Sequence, residues 1–85
     1  MMTFDLVLEA CRQHGVLRVA RRVADINLSG ISTDSRHVKP GQGYLALRGD
    51  RFDGNDFAAA AVSAGACALI LEHEQPELPV PQIIV

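Results

Sequence analysis

The chain has no tryptophan, one tyrosine and three phenylalanines, so its core must be built mainly from aliphatic side chains. Only two cysteines occur, Cys11 and Cys67. They are too few and too far apart for a metal site. Each sits in an apolar pattern, where a free thiol packs as a small hydrophobe. The first residues show no cationic stretch followed by a long apolar run, so no secretory signal is read and no disulfide is expected. No apolar run reaches the length that spans a bilayer. The expected location is the cytoplasm. Neither sign of charge is in excess: 8 Lys and Arg stand against 10 Asp and Glu, for a net charge of −2. That balance gives no general electrostatic footprint for nucleic acid or a membrane surface, and neither is expected as a partner. Arg18, Arg21 and Arg22 fall close together, and read either as a solvated face or as a local basic cluster.

Several motifs are missing too. No Gly-rich loop ends in Lys-Ser or Lys-Thr, so the ATP phosphate cradle of that type is absent. No glycine-spaced dinucleotide fingerprint occurs. Ser35 has no evident His and Asp partners in a triad-like arrangement. His14, His37 and His73 stand alone in polar contexts and read as surface residues.

What is present fits one small folded domain. The 85 residues are 48% hydrophobic and 21% charged, a composition of folded rather than disordered chains. Thr3 reads as the N-cap of a helix whose apolar stripe is supplied by Phe4, Leu6, Val7, Leu8, Ala10 and Cys11 and which stops at Gly15. Val16 to Val23 fits a strand or a continued helix. Ala24 to Ser32 alternates apolar and polar residues and reads as one strand with a solvated face. Lys39-Pro40-Gly41-Gln42-Gly43 is a turn by composition. Tyr44 to Leu47 reads as a short strand, and Arg48 to Gly54 as a polar loop closed by Asp53-Gly54. Asn55 or Asp56 is expected to cap a helix running through the four alanines 58–61 to Gly65. Cys67 to Leu71 is a buried strand by its continuous apolar run, and Gln82 to Val85 is a last strand. A strand–helix–strand unit from Tyr44 to Leu71 implies a parallel crossover. The expected fold is α/β: a small single-domain sandwich with a mixed, mostly short-stranded sheet flanked by helices. The final apolar strand lacks trailing polar residues, so the chain is expected to be a fragment of a larger protein.

The stretch Ser32-Thr33-Asp34-Ser35-Arg36-His37-Val38-Lys39-Pro40-Gly41 and its continuation to Gly54 are densest in groups that hold a polar ligand. Thr33 and Ser35 offer hydroxyls that read the edge of a base or carbonyl. Arg36, Arg48 and Arg51 are forks suited to phosphate or carboxylate oxygens. The helix opening after Asp53 adds free N–H groups that attract anions. A structural reading stands beside each: Asp34 and Arg36 as an ion pair stapling the loop, Ser35 as a side-chain turn, Asp53-Gly54 as turn residues only.

These residues also carry a resemblance. Ile31 to Gly41, Leu45-Ala46-Leu47-Arg48-Gly49-Asp50-Arg51-Phe52-Asp53-Gly54-Asn55-Asp56-Phe57 and Ala64-Gly65-Ala66 resemble the N-terminal domain of the Mur ligases, bacterial enzymes that build the peptide stem of peptidoglycan precursors. The Arg-Gly-Asp-Arg-Phe-Asp-Gly run is most like the type that adds D-alanyl-D-alanine to UDP-N-acetylmuramoyl-tripeptide (MurF type). The alternatives are the type that adds the diamino acid (MurE type) and a stand-alone, non-catalytic module of the same fold. The resemblance implies a domain that holds the UDP part of a UDP-N-acetylmuramoyl-peptide. It implies contacts from Thr33 and Ser35 to the uridine, and a second wall formed by Asp50, Arg51 and Phe52. Arg36 and Arg48 are implied as structural or phosphate-facing. ATP and magnesium are expected in a separate central domain, the incoming peptide in a C-terminal one, and no catalytic residue in this chain. Asn55 stands where the family usually has histidine, and Gln42-Gly43-Tyr44 where Asp-Leu-Phe is usual.

Overall fold

A computed structural model describes residues 2–49 and 52–85. Strand β1 (Met2–Thr3) leads into helix α1 (Phe4–Gln13). The Thr3 side chain accepts the Leu6 N–H at 3.1 Å, as an N-cap should. Phe4 and Leu8, one turn apart, are the buried positions of α1, whereas Leu6 of the expected stripe turns to solvent. Then come β2 (Val19–Arg21), β3 (Asn27–Leu28), β4 (Ile31–Ser32) and β5 (Gly43–Leu45). A short antiparallel pair follows, β6 (Arg48–Gly49) with β7 (Phe52–Asp53). A 3₁₀ turn (Gly54–Phe57) then feeds α2 (Ala58–Ser63), and β8 (Ala68–Leu71) and β9 (Gln82–Ile84) complete the order.

The central sheet has five strands in the order β2-β9-β8-β5-β4. β4, β5, β8 and β9 pair in parallel, and β2 runs antiparallel to β9. The sheet is mixed, and β5–α2–β8 joins parallel neighbours, both as the sequence implies. All four residues of β8 are buried. Leu69 and Leu71 face a cluster with Tyr44, Ala58 and Ala61, while Ala68 and Ile70 face one with Phe4, Leu8 and Leu28. Helices therefore cover both faces of β8, which explains its unbroken apolar run.

Three local readings change. The stretch from Ala24 to Ser32 is not one strand. β3 pairs antiparallel with β1, and β4 pairs in parallel with β5 in the other sheet. Ser29 donates its N–H to Gly41 O and Gly30 accepts from Gly43, so the chain switches partners between Leu28 and Ile31. Within the expected Arg48–Gly54 loop, Arg48–Gly49 and Phe52–Asp53 pair as β6 and β7. The helix cap is neither Asn55 nor Asp56. Asp53 accepts the Asn55 N–H at 3.0 Å and caps the 3₁₀ turn. Within the ambiguous Val16–Val23 segment only Val19–Arg21 form a strand, β2. The Lys39–Gln42 turn forms as read: Gln42 N–H reaches Lys39 O at 3.1 Å, with Gly41 at φ +88°.

Candidate functional site: a cleft between the Thr33–Arg36 loop and the turn after β7

The first wall is built on Asp34. Strand β4 ends at Ser32, whose Oγ accepts the Asp34 N–H at 3.2 Å and donates to Asp34 O at 3.1 Å. The side-chain turn therefore belongs to Ser32, not Ser35. One Asp34 carboxylate oxygen, Oδ1, accepts the Arg36 backbone N–H at 2.9 Å and Arg36 Nε at 3.2 Å. The other, Oδ2, accepts Arg36 Nη2 at 3.3 Å and lies 2.8 Å from His37 Nδ1. His37 is thus partnered rather than alone. The Arg36 side chain, then its backbone N–H, then His37 hold the Asp34 carboxyl far below the usual carboxylate range. Asp34 in turn pushes the Arg36 guanidinium up. Buried Val38 anchors the far end of the loop in the core.

The second wall rests on Tyr44 and Asn55. Tyr44 is fully buried in β5 and its hydroxyl donates to Gly54 O at 2.9 Å. Burial, then the charges of Asp34 and Asp53, push the Tyr44 phenol up. One phenol therefore senses carboxylates from both walls. Asp53 is lowered, chiefly by the Asn55 side chain, which donates to it at 2.7 Å. This carboxylate already satisfies the turn's N-terminal N–H, so an anion placed there meets a negative charge. The anion-attracting helix start read from the sequence is corrected on that ground. Arg48 sits 3.3 Å from Asp53 and 3.6 Å from Glu72.

Between the walls lies a cleft of about 510 Å³ lined by Thr33, Asp34, Ser35, Arg36 and Phe57. Thr33, Ser35 and Arg36 thus line one cleft. Arg48 is held by the two carboxylates and does not line the cleft. Asp50 and Arg51 lie outside the described residues, as does the Phe52 side chain. Asp34 and Phe57 are the lining residues that the sequence reading did not assign. The sequence runs a helix through Phe57, whereas the structure ends the 3₁₀ turn on it and leaves it 41% exposed. Only the length of that turn carries the signal, and the sequence does not announce it.

Elsewhere, Arg21 pairs with Glu74 and Arg18 Nη1 donates to Glu72 O at 3.3 Å, so these two are a solvated, partly paired face. The cysteines are free. Among the described residues no three His, Cys, Asp or Glu side chains cluster to hold a metal ion, and no helix is long and apolar enough to cross a membrane.

A profile described as "Mur ligase family, catalytic domain" matches residues 27–83. The chain belongs to the Mur ligase family. The Mur ligase relatives include the UDP-N-acetylmuramoyl-tripeptide–D-alanyl-D-alanine ligase of Escherichia coli (strain K12), 44% identical over 62 residues that make 73% of this chain and 14% of that protein. The UDP-N-acetylmuramoyl-L-alanyl-D-glutamate–2,6-diaminopimelate ligase of Gloeobacter violaceus is 37% identical over 71 residues, covering 75% of this chain and 14% of that protein. The crystal structure of MurF from Acinetobacter baumannii superposes with a TM-score of 0.73 at 31% identity, over 92% of this chain and 17% of that one. The chain therefore spans about one seventh of the length of the curated Mur ligases it matches, and its small α/β fold matches part of the Acinetobacter MurF structure.

Proposed function

We propose that this chain is the N-terminal domain that holds the UDP part of a UDP-N-acetylmuramoyl-peptide in a cytoplasmic, ATP-dependent Mur ligase of the D-alanyl-D-alanine-adding type. The observation that carries this reading is the cleft itself. Two hydroxyl residues, Thr33 and Ser35, face it beside an aromatic ring, Phe57, and the loop is fixed by the bonds to Asp34. Hydroxyls select a polar ring by its edge, and an aromatic face stacks on its plane. Arg36 is tied to Asp34, and Arg48 to Asp53 and Glu72. Both cations are partly neutralised, so the cleft suits the uncharged base and ribose better than the diphosphate.

The domain contributes by positioning. Fixing a large nucleotide handle brings the distant carboxylate to the ATP site, and a well-placed reactant removes much of the entropic barrier. The chain has no Gly-rich loop ending in Lys-Ser or Lys-Thr. Its described residues have no cluster of metal-binding side chains. ATP and magnesium belong, on this reading, to other domains of the ligase, and this domain contributes binding and orientation alone. The D-alanyl-D-alanine type is preferred for the Arg48-to-Gly54 run and the 44% identity to the Escherichia coli enzyme. The diamino-acid-adding type is the second reading, supported by the 37% identity over 71 residues to the Gloeobacter enzyme.

Titrating UDP into the ¹⁵N-labelled chain tests the site. The expected result is saturable amide shifts at Thr33–Arg36 and at Phe57, with ADP shifting them far less. Equal shifts with ADP, or shifts confined to other residues, would overturn the uridine assignment. The chain mixed with ATP, magnesium, the UDP-tripeptide and D-alanyl-D-alanine is expected to release no phosphate. Release would show chemistry in this domain.

A further inference from the structure

The geometry points to Asn55 as a positioning residue of the cleft: its buried amide fixes the turn that presents Phe57 to the Thr33–Arg36 loop. The inference rests on the uridine reading above and adds a residue to it. Asn55 is 5% exposed, one of two buried polar side chains among the described residues. Every polar atom of its amide is in use. Asn55 Oδ1 accepts the Glu72 N–H at 2.9 Å and the His73 N–H at 3.3 Å. Its Nδ2 donates to Asp53 Oδ1 at 2.7 Å. Its backbone carbonyl accepts Gln75 Nε2 at 2.7 Å. Gln75 in turn exchanges two bonds with the other buried polar residue, Gln82: its N–H donates to Gln82 Oε1 at 3.0 Å and its carbonyl accepts Gln82 Nε2 at 2.7 Å.

Asn55 therefore ties the turn after β7 to the start of the β8–β9 connection and, through Gln75 and Gln82, to strand β9. From the other side, the Tyr44 hydroxyl holds Gly54 O. A turn gripped at Gly54 and Asn55 leaves its next exposed aromatic, Phe57, little freedom to move. Buried amides whose every partner is satisfied rigidify the structure around them. Asn55 itself is not among the residues that line the cleft, so its effect on a ligand is transmitted through Phe57.

The test is a double-mutant cycle on the whole chain, with UDP as the probe and amide shifts as the readout. Asn55→Ala is expected to weaken UDP binding roughly tenfold, the scale of one lost buried hydrogen bond. The Glu72 and His73 amide signals should move in the free protein while the folded spectrum is kept. In a Phe57→Ala background the same substitution should change the affinity no further, because the group it positions is gone. A merely structural loosening would add its own loss there. Should Asn55→Ala fail to fold, Asn55→Asp replaces it. That variant keeps the accepted bonds and turns only the bond to Asp53 into repulsion, and the same coupling to Phe57 is expected. Unchanged affinity in a folded Asn55 variant, or losses that add in the double variant, overturns this proposal alone. No binding by the unaltered chain overturns the uridine reading, and this proposal with it.

Discussion

Asp34 organises the first wall although its side chain is 38% exposed. It gathers the backbone N–H and guanidinium of Arg36 and the ring of His37 onto two oxygens. All three favour the charged form, so the folded carboxyl lies far below its ordinary 3.8. On acidification the unfolded chain takes up that proton first. The contribution to stability is thus complete above the unfolded value and is lost progressively as the pH falls below 3.8 toward the folded value. A carboxyl ¹³C titration checks this. Asp34 should still be ionised at about pH 3, where the same residue in the urea-unfolded chain is mostly protonated. A folded midpoint at the ordinary 3.8 would show that the Arg36 bonds do not persist in solution. Exposed ion pairs contribute little to global stability, so the role of Asp34 lies in the shape of the loop.

The element that sets the second wall is the 3₁₀ turn, and Gly54 is where it meets the Ala46–Leu47 link between β5 and β6. A Cβ on Gly54 would lie 2.6 Å from Leu47 N, 2.7 Å from Leu47 O and 2.9 Å from Ala46 Cα, all backbone atoms. Gly54→Ala is therefore expected to cost about 3 kcal/mol in urea unfolding, through overpacking. Gly15 gives the contrast: nothing lies within 4 Å, and its φ of +71° is the only obstacle. Gly15→Ala is expected to cost about 1–2 kcal/mol. Equal costs would show that the turn yields where the structure places it against Ala46 and Leu47. Elements whose cause is local were legible in the sequence. The Thr3 cap, the Phe4–Leu8 stripe, the Pro40-Gly41 turn and the apolar run of β8 each form where expected. Elements whose cause is a distant partner were not. Two-residue strands such as β3 and β4 bury too little to announce themselves, and which sheet each joins is decided by β1 and β5. The site divides in the same way. Thr33, Ser35 and Arg36 stood out because polar groups crowd one loop. Arg48 stands outside the cleft because Asp53, its partner in the β6/β7 pair, and the distant Glu72 hold it, and Phe57 is not assigned because the sequence shows one helix where the structure has a 3₁₀ turn and then α2.

At the scale of the whole molecule, 85 residues leave a small margin. A domain of this length is stable by about 4–13 kcal/mol, and ligand binding is a visible addition to that. A ligand that binds only the folded state at ten times its Kd adds about 1.4 kcal/mol. In a domain this small, each kcal/mol moves the unfolding temperature by about 4–8 °C. UDP at that level should therefore raise Tm by about 6–11 °C. The shift should grow with the logarithm of concentration. ADP should leave Tm nearly unchanged, because the Thr33 and Ser35 hydroxyls and the Phe57 ring form a cleft shaped by one loop and one turn, not a cradle for phosphates. The same measurement separates the two walls. Ser35→Ala removes a hydroxyl from a folded loop, so it should lower the UDP-induced shift while leaving the unliganded Tm within about 2–4 °C, as a substitution of about 0.5 kcal/mol does. Asn55→Ala should lower both, since it removes a buried latch and, through it, the placement of Phe57. A Ser35 variant that melts early but responds to UDP in full would place Ser35 in the scaffold and not in the site.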